Sequence, residues 1–166
     1  MINYLRPIMP QIGGGLLRFY EKGEDVMRIL VIDAQGGGVG KQLVAAIKQE
    51  LPEAELIAVG TNSTATAAML KAGADSAATG ENSVIVCSRN ADVIVGPIGI
   101  VIADSLLGEI TPAMAAAVSG SGAVRVLIPF SHCNNFIVGV SEMNTKSLIN
   151  EAVKKVVSLQ KNGGMY

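Results

Sequence analysis

The chain has 166 residues, of which 49% are hydrophobic and 16% charged, and a formal net charge of -1. That length fills one well-buried core rather than two, and the composition is that of a globular chain rather than a disordered one. There is no basic excess to neutralise a nucleic-acid backbone and aromatic residues make up only 4%, so nucleic acid is not an expected partner.

Cys87 and Cys133 fall in no zinc-binding spacing, and His132 is the single histidine, so no metal site is expected from one chain. The two thiols read as reduced, mostly buried side chains. The longest apolar stretch, residues 93–103, is interrupted by Gly96, Pro97 and Gly99 and closed by Asp104. It is about half the roughly 20 residues that span a bilayer and reads as core. Residues 1–26 lack the apolar region and cleavage site of a signal peptide. The expected location is therefore cytoplasmic, with no membrane partner.

In chain order, residues 1–26 carry Pro7, Pro10, Gly13-Gly14-Gly15 and the charged run Glu21-Lys22-Gly23-Glu24-Asp25, with no period of 2 or 3.6. They are expected to be an extension upstream of a native start at Met27; a loosely ordered arm is the alternative. Residues 27–166 then form a single domain. Residues 28–33 are a continuous Ile, Leu and Val run, as in a strand covered on both faces. A helix follows to Leu51, with Val39, Leu43, Val44, Ile47 and Leu51 on one face, and Pro52 stops it. Residues 55–60 are the second strand. Asn62 or Ser63 caps a short Ala-rich helix that ends at Gly73.

Residues 74–88 are ambiguous: a short strand fits 76–79, and 81–87 fits either a strand or a helical turn. Residues 92–95 form a strand. A helical segment follows Gly99, and another begins at Pro112 behind the cap Thr111 and breaks at Gly120-Ser121-Gly122. Strands at 125–128 and 136–140 come next, and a last helix spans 145–161. Strands alternating with helices imply right-handed crossovers, a three-layer Rossmann-like α/β architecture and a mostly parallel sheet. The short link between the last two strands allows an antiparallel hairpin at one edge.

The chemistry concentrates in Gln35-Gly36-Gly37-Gly38-Val39-Gly40-Lys41, which joins the first strand to the first helix. Glycines permit a positive φ and let the backbone approach a ligand closely. The helix behind them offers unpaired amides and a partial positive charge, which suit phosphate. The dinucleotide fingerprint G-x-G-x-x-G aligns here with Gln35 in place of its first glycine. The phosphate loop of nucleotide hydrolases aligns at Gly40-Lys41, but Gln42 replaces the hydroxyl residue that holds magnesium, which argues against ATP hydrolysis. The stretch also looks like the deviant loop of ParA and MinD-type ATPases, with Gly36 in place of their signature lysine. A turn needed only for tight packing is the alternative. Lys41 opposes the helix dipole at a cost of about 0.3–1 kcal/mol unless an anion is near, which favours a ligand.

At the end of the second strand, Gly60-Thr61-Asn62-Ser63 contains no acid for ribose hydroxyls, so NADP is favoured over NAD. Thr61 and Asn62 are candidate cofactor contacts, with the helix cap as the plain alternative. Gly96 and Pro97, at the end of a later strand, are further candidates, because strand-end loops gather on one edge of a parallel sheet. His132 and Cys133 are adjacent, with no orienting acid evident, and read as ligand contacts or packing rather than a catalytic dyad. Asp33 and Asp104 are candidate general bases, but read rather as capping or solvated carboxylates. No catalytic set stands out.

The segments at residues 33–41, Gly60-Thr61-Asn62, 68–75, Ala78-Thr79-Gly80-Glu81-Asn82 and Val95-Gly96-Pro97-Ile98-Gly99 resemble a family of small bacterial proteins known as domain of unknown function 3842. The resemblance runs from Met27 to about Val140 and implies a cytosolic Rossmann-like protein without an established reaction. Two functions stay open: a nucleotide-binding sensor or regulatory module, and an NADP-type oxidoreductase whose substrate site is made from strand-end loops. Small apolar domains often hide surface in an assembly, so a homodimer is expected.

Overall fold

The computed structural model describes residues 26–129, 137 and 144–161. The first strand, β1 (Arg28–Asp33), runs into helix α1 (Gly38–Glu50), which leads to β2 (Glu55–Gly60) and α2 (Ser63–Lys71). Next come β3 (Ser76–Thr79), α3 (Glu81–Ser88) and β4 (Val93–Pro97), the last continuing into a single 3-10 turn, Ile98–Val101. Helix α4 (Pro112–Gly120), strand β5 (Val124–Ile128) and helix α5 (Thr145–Lys161) complete the described elements. The strands form one sheet in the order β3-β2-β1-β4-β5, and every pairing is parallel.

The apolar run of β1 is explained by where its side chains go. Successive residues of a strand face opposite sides. Ile29 and Val31 enter one core with Leu43, Val44 and Ile47 of α1 and Leu148, Val153 and Val156 of α5. Leu30 and Ile32 enter a second core with Val84 of α3 and Met114 and Val118 of α4. Each fully buried Leu, Ile or Val contributes about 1.5–3 kcal/mol relative to exposure. The result is the expected three-layer Rossmann-like α/β fold, with β1 at its centre.

Local signals set the element ends. Gly37 has φ 65 and opens α1 without a side-chain cap. At the other end Lys48 donates to the carbonyls of Pro52 at 3.2 Å and Ala54 at 3.1 Å and pairs with Asp75 at 2.8 Å. Asn62 caps α2 by accepting the Ala65 amide at 3.0 Å, and Gly73 follows that helix with φ 112. Thr111 caps α4, with Pro112 in its first turn.

The structure settles the ambiguous segment as strand β3 followed by helix α3. The β-branched run Val84-Ile85-Val86 suits either state, and packing of Val84 into the second core decides it. The helical segment expected after Gly99 is one 3-10 turn. Beyond it Asp104, Leu106, Leu107 and Gly108 have φ of 60, 54, 61 and 83, a left-handed backbone that cannot continue a right-handed helix. The proposed hairpin strand at 136–140 lies outside the described residues apart from Ile137, as do residues 1–25 and the segment holding His132 and Cys133. No helix among the described residues is long and apolar enough to cross a membrane.

Candidate functional site

In this strand order, the chain leaves β1 on one face of the sheet and β4 on the other. The crevice above their carboxyl ends is where open α/β sheets take ligands. Asp33 ends β1 and is only 5% exposed. Its Oδ1 accepts the Ala34 amide at 2.8 Å and its Oδ2 accepts the Gly40 amide at 2.6 Å. Burial pushes this carboxyl above the ordinary aspartate range; the amides of Gly40, Ala34 and Val39 oppose the rise, and the nearby charge of Glu109 adds to it. Asp33 thus takes the Gly40 amide, in the first turn of α1, for itself. The Lys41 amide is also spent, bonding the Gly37 carbonyl at 3.0 Å.

The four glycines divide into two pairs. A Cβ on Gly37 would lie 2.8 Å from the Ala65 Cα, and one on Gly40 would lie 2.7 Å from the Asp33 Cβ and run into the Met69 sulfur. Those two are glycine because α1 packs tightly on α2 and on the end of β1. A Cβ on Gly36 or Gly38 would meet nothing within 4 Å. Both residues are exposed, and their amides bond to no other described residue. Packing within the described chain gives no reason for glycine at either position. Lys41 stands exposed in the adjoining turn of α1.

Thr61 and Asn62 come to this loop from β2. Asn62 Nδ2 donates to the Gln35 carbonyl at 3.0 Å and to Glu109 Oε2 at 2.9 Å. The Thr61 hydroxyl also donates to Glu109 Oε2, and the Gln35 amide donates to it at 3.0 Å. Burial pushes the Glu109 carboxyl up, but the hydrogen bonds from Thr61, Gln35 and Asn62 outweigh that and hold it below the ordinary glutamate range. An acid therefore does stand at the end of β2. It arrives from the loop after β4, so the reason for favouring NADP over NAD, the lack of an acid within 60–63, is removed by the geometry.

The remaining candidates sit differently. Gly96 and Pro97 reach the same edge but are buried, and a Cβ on Gly96 would strike the Ile32 carbonyl of β1. Gly96 is thus accounted for by strand packing. Asp104 is exposed in the left-handed loop. Cys87 lies on α3 against the second core, and burial pushes its thiol pKa up, away from thiolate reactivity. Glu109 is the site residue that sequence reasoning missed. Its only sequence signal is a place in a loop that follows a strand end.

The sheet order, the crossovers and the glycine loop at the carboxyl edge define a Rossmann-like α/β protein. The model of the family described as Domain of unknown function (DUF3842) matches residues 28–161, and the chain belongs to that family. No curated protein matches it in sequence. Among solved structures, it is similar to a dodecameric FMN-dependent UbiX-like decarboxylase from Escherichia coli O157:H7, at 17% identity over 82% of this chain and 95% of that one, with a TM-score of 0.45. It is also similar to AibC, at 19% identity over 84% of this chain, with a TM-score of 0.39. The match spans 43% of the AibC chain.

Proposed function

We propose that the chain is a nucleotide-binding sensor or regulatory module that takes the phosphate of its ligand on the Gly36–Gly38 side of the loop, next to Lys41. The observation that carries this reading is the pair of exposed glycines whose Cβ positions are open and whose amides have no acceptor among the described residues. Phosphate oxygens are the acceptors such a turn suits. The Asp33 carboxylate narrows the place, since it already occupies the amide of Gly40. The ligand's remaining contacts would come from Thr61 and Asn62 at the end of β2. An NADP-type oxidoreductase would use the same phosphate contacts, and consumption of NADPH or NADH in the presence of an electron acceptor would distinguish it.

Lys41→Glu is the direct test. Glutamate suits the first turn of a helix and repels an anion. The variant should melt at or above the parent's temperature and bind at least about tenfold more weakly, a change of roughly 1.4 kcal/mol. A thermal-shift panel of NAD, NADP, ATP, GTP and FMN identifies the ligand, because one present at about 100 times its dissociation constant adds about 2.7 kcal/mol of stability. Equal binding of that ligand to parent and Lys41→Glu would place the phosphate elsewhere.

A further inference from the structure

We propose that Glu109 is the specificity-determining acid of this site, selecting nucleotides with a free ribose 2′,3′-diol and rejecting those with a 2′-phosphate. This rests on the nucleotide reading above and goes beyond it by naming the ligand class.

The placement of one carboxylate carries the inference. Three donors from two different strand-end segments, the Gln35 amide, the Thr61 hydroxyl and the Asn62 side-chain amide, all end on Glu109 Oε2. That oxygen is spoken for, and the carboxylate is oriented and kept charged. Oε1 accepts from none of these groups, which leaves it for a ligand hydroxyl. A carboxylate accepts from hydroxyls and repels a phosphate, so the group discriminates by chemistry as well as by shape.

The loop that delivers Glu109 holds its shape by internal bonds. The Asp104 amide bonds the Ile110 carbonyl at 2.8 Å, and the Ser105 hydroxyl bonds the Gly99 carbonyl at 2.6 Å. Ile100 and Ile110 are fully buried beneath it. Left-handed backbone at the non-glycine residues Asp104, Leu106 and Leu107 persists only where surrounding contacts hold it. The loop thereby carries Glu109 from the end of β4 past β1 to the end of β2, above the edge where the glycine loop lies.

The test uses the full chain and two probes that differ only in the 2′ substituent, 5′-AMP and adenosine 2′,5′-bisphosphate, with dissociation constants measured by calorimetry. The parent should bind AMP about tenfold or more tightly than the bisphosphate. Glu109→Gln and Thr61→Val, the second of which removes a hydroxyl that holds Oε2, should each move the ratio toward one. Lys41→Glu should weaken both probes while leaving the ratio alone. A parent that prefers the bisphosphate, or a ratio untouched in both Glu109→Gln and Thr61→Val, overturns the role of Glu109 and spares the nucleotide site. Binding of neither probe, together with no response in the NAD, NADP, ATP, GTP and FMN panel, overturns the nucleotide site and the selectivity with it.

Discussion

Gly38 and Gly40 are two residues apart and should respond oppositely to the same methyl group. On Gly40 the added Cβ meets the Met69 sulfur and the Asp33 Cβ, so Gly40→Ala should cost about 1–3 kcal/mol in a denaturant titration, as overpacking does. On Gly38 it meets nothing, and alanine is the better helix former, so Gly38→Ala should leave stability unchanged or raise it by up to about 1 kcal/mol. AMP binding should nevertheless weaken in Gly38→Ala, because the methyl group stands where the ligand approaches. A Gly38→Ala protein that is markedly destabilised would mean that the turn needs this glycine for its own conformation. Sequence alone made the loop visible as a glycine cluster between a strand and a helix. It did not separate glycines that pack from glycines that lie open, because that depends on α2 and β1 crossing the loop in space.

Helix α2 shows how one residue can serve an element and a site together. Asn62 Oδ1 caps the helix, while its Nδ2 ties the Gln35 carbonyl to Glu109. Asn62→Ala should therefore lose more than the roughly 1 kcal/mol of an ordinary cap. Asn62→Asp keeps an acceptor for the Ala65 amide and places a charge beside Glu109, so it should preserve the cap and disrupt the tie. Comparing the two by chemical denaturation separates the roles; an Asn62→Asp variant as stable as the parent would mean that the cap is the whole of Asn62's contribution. The cap was legible from a polar residue ahead of an Ala-rich run. Its second role was not, since Glu109 lies 47 positions further along and no local pattern reports such a partner. The sequence leaves α3 ambiguous for a different reason. Val84-Ile85-Val86 is favourable as a strand by propensity, and only tertiary burial of Val84 overrides it.

For the molecule as a whole, the carboxylates predict the shape of the stability profile with pH. Glu109 is held below its ordinary range, and so is Asp75, whose own burial is outweighed by the Lys48 hydrogen bond, the Leu56 amide and the Lys48 charge. Stability from these two is full above the ordinary carboxylate values and is lost as pH falls through their lowered folded values. Asp33 has the opposite sign: its raised pKa gives a contribution present below the ordinary aspartate value and lost as pH rises through the folded one. The melting temperature should fall on acidification below about pH 4, with Asp33 blunting the fall, and Glu109→Gln should make that acid limb shallower. An acid limb as steep as the parent's would remove Glu109 from the account. The alternation of strands and helices made the architecture legible, because each apolar run is long enough to require cover on both faces.

The strand order has a further consequence for solubility. β1, with four of its six residues Val, Ile or Leu, occupies the centre of the sheet, while β3, at one edge, is the four-residue stretch Ser76-Ala77-Ala78-Thr79. A short edge of small residues is a poor template for another chain's strand. The apolar β1 segment is thus exposed only when the sheet opens. Protection of β1 from other chains is tied to the same packing that keeps Glu109 and the glycine loop in register.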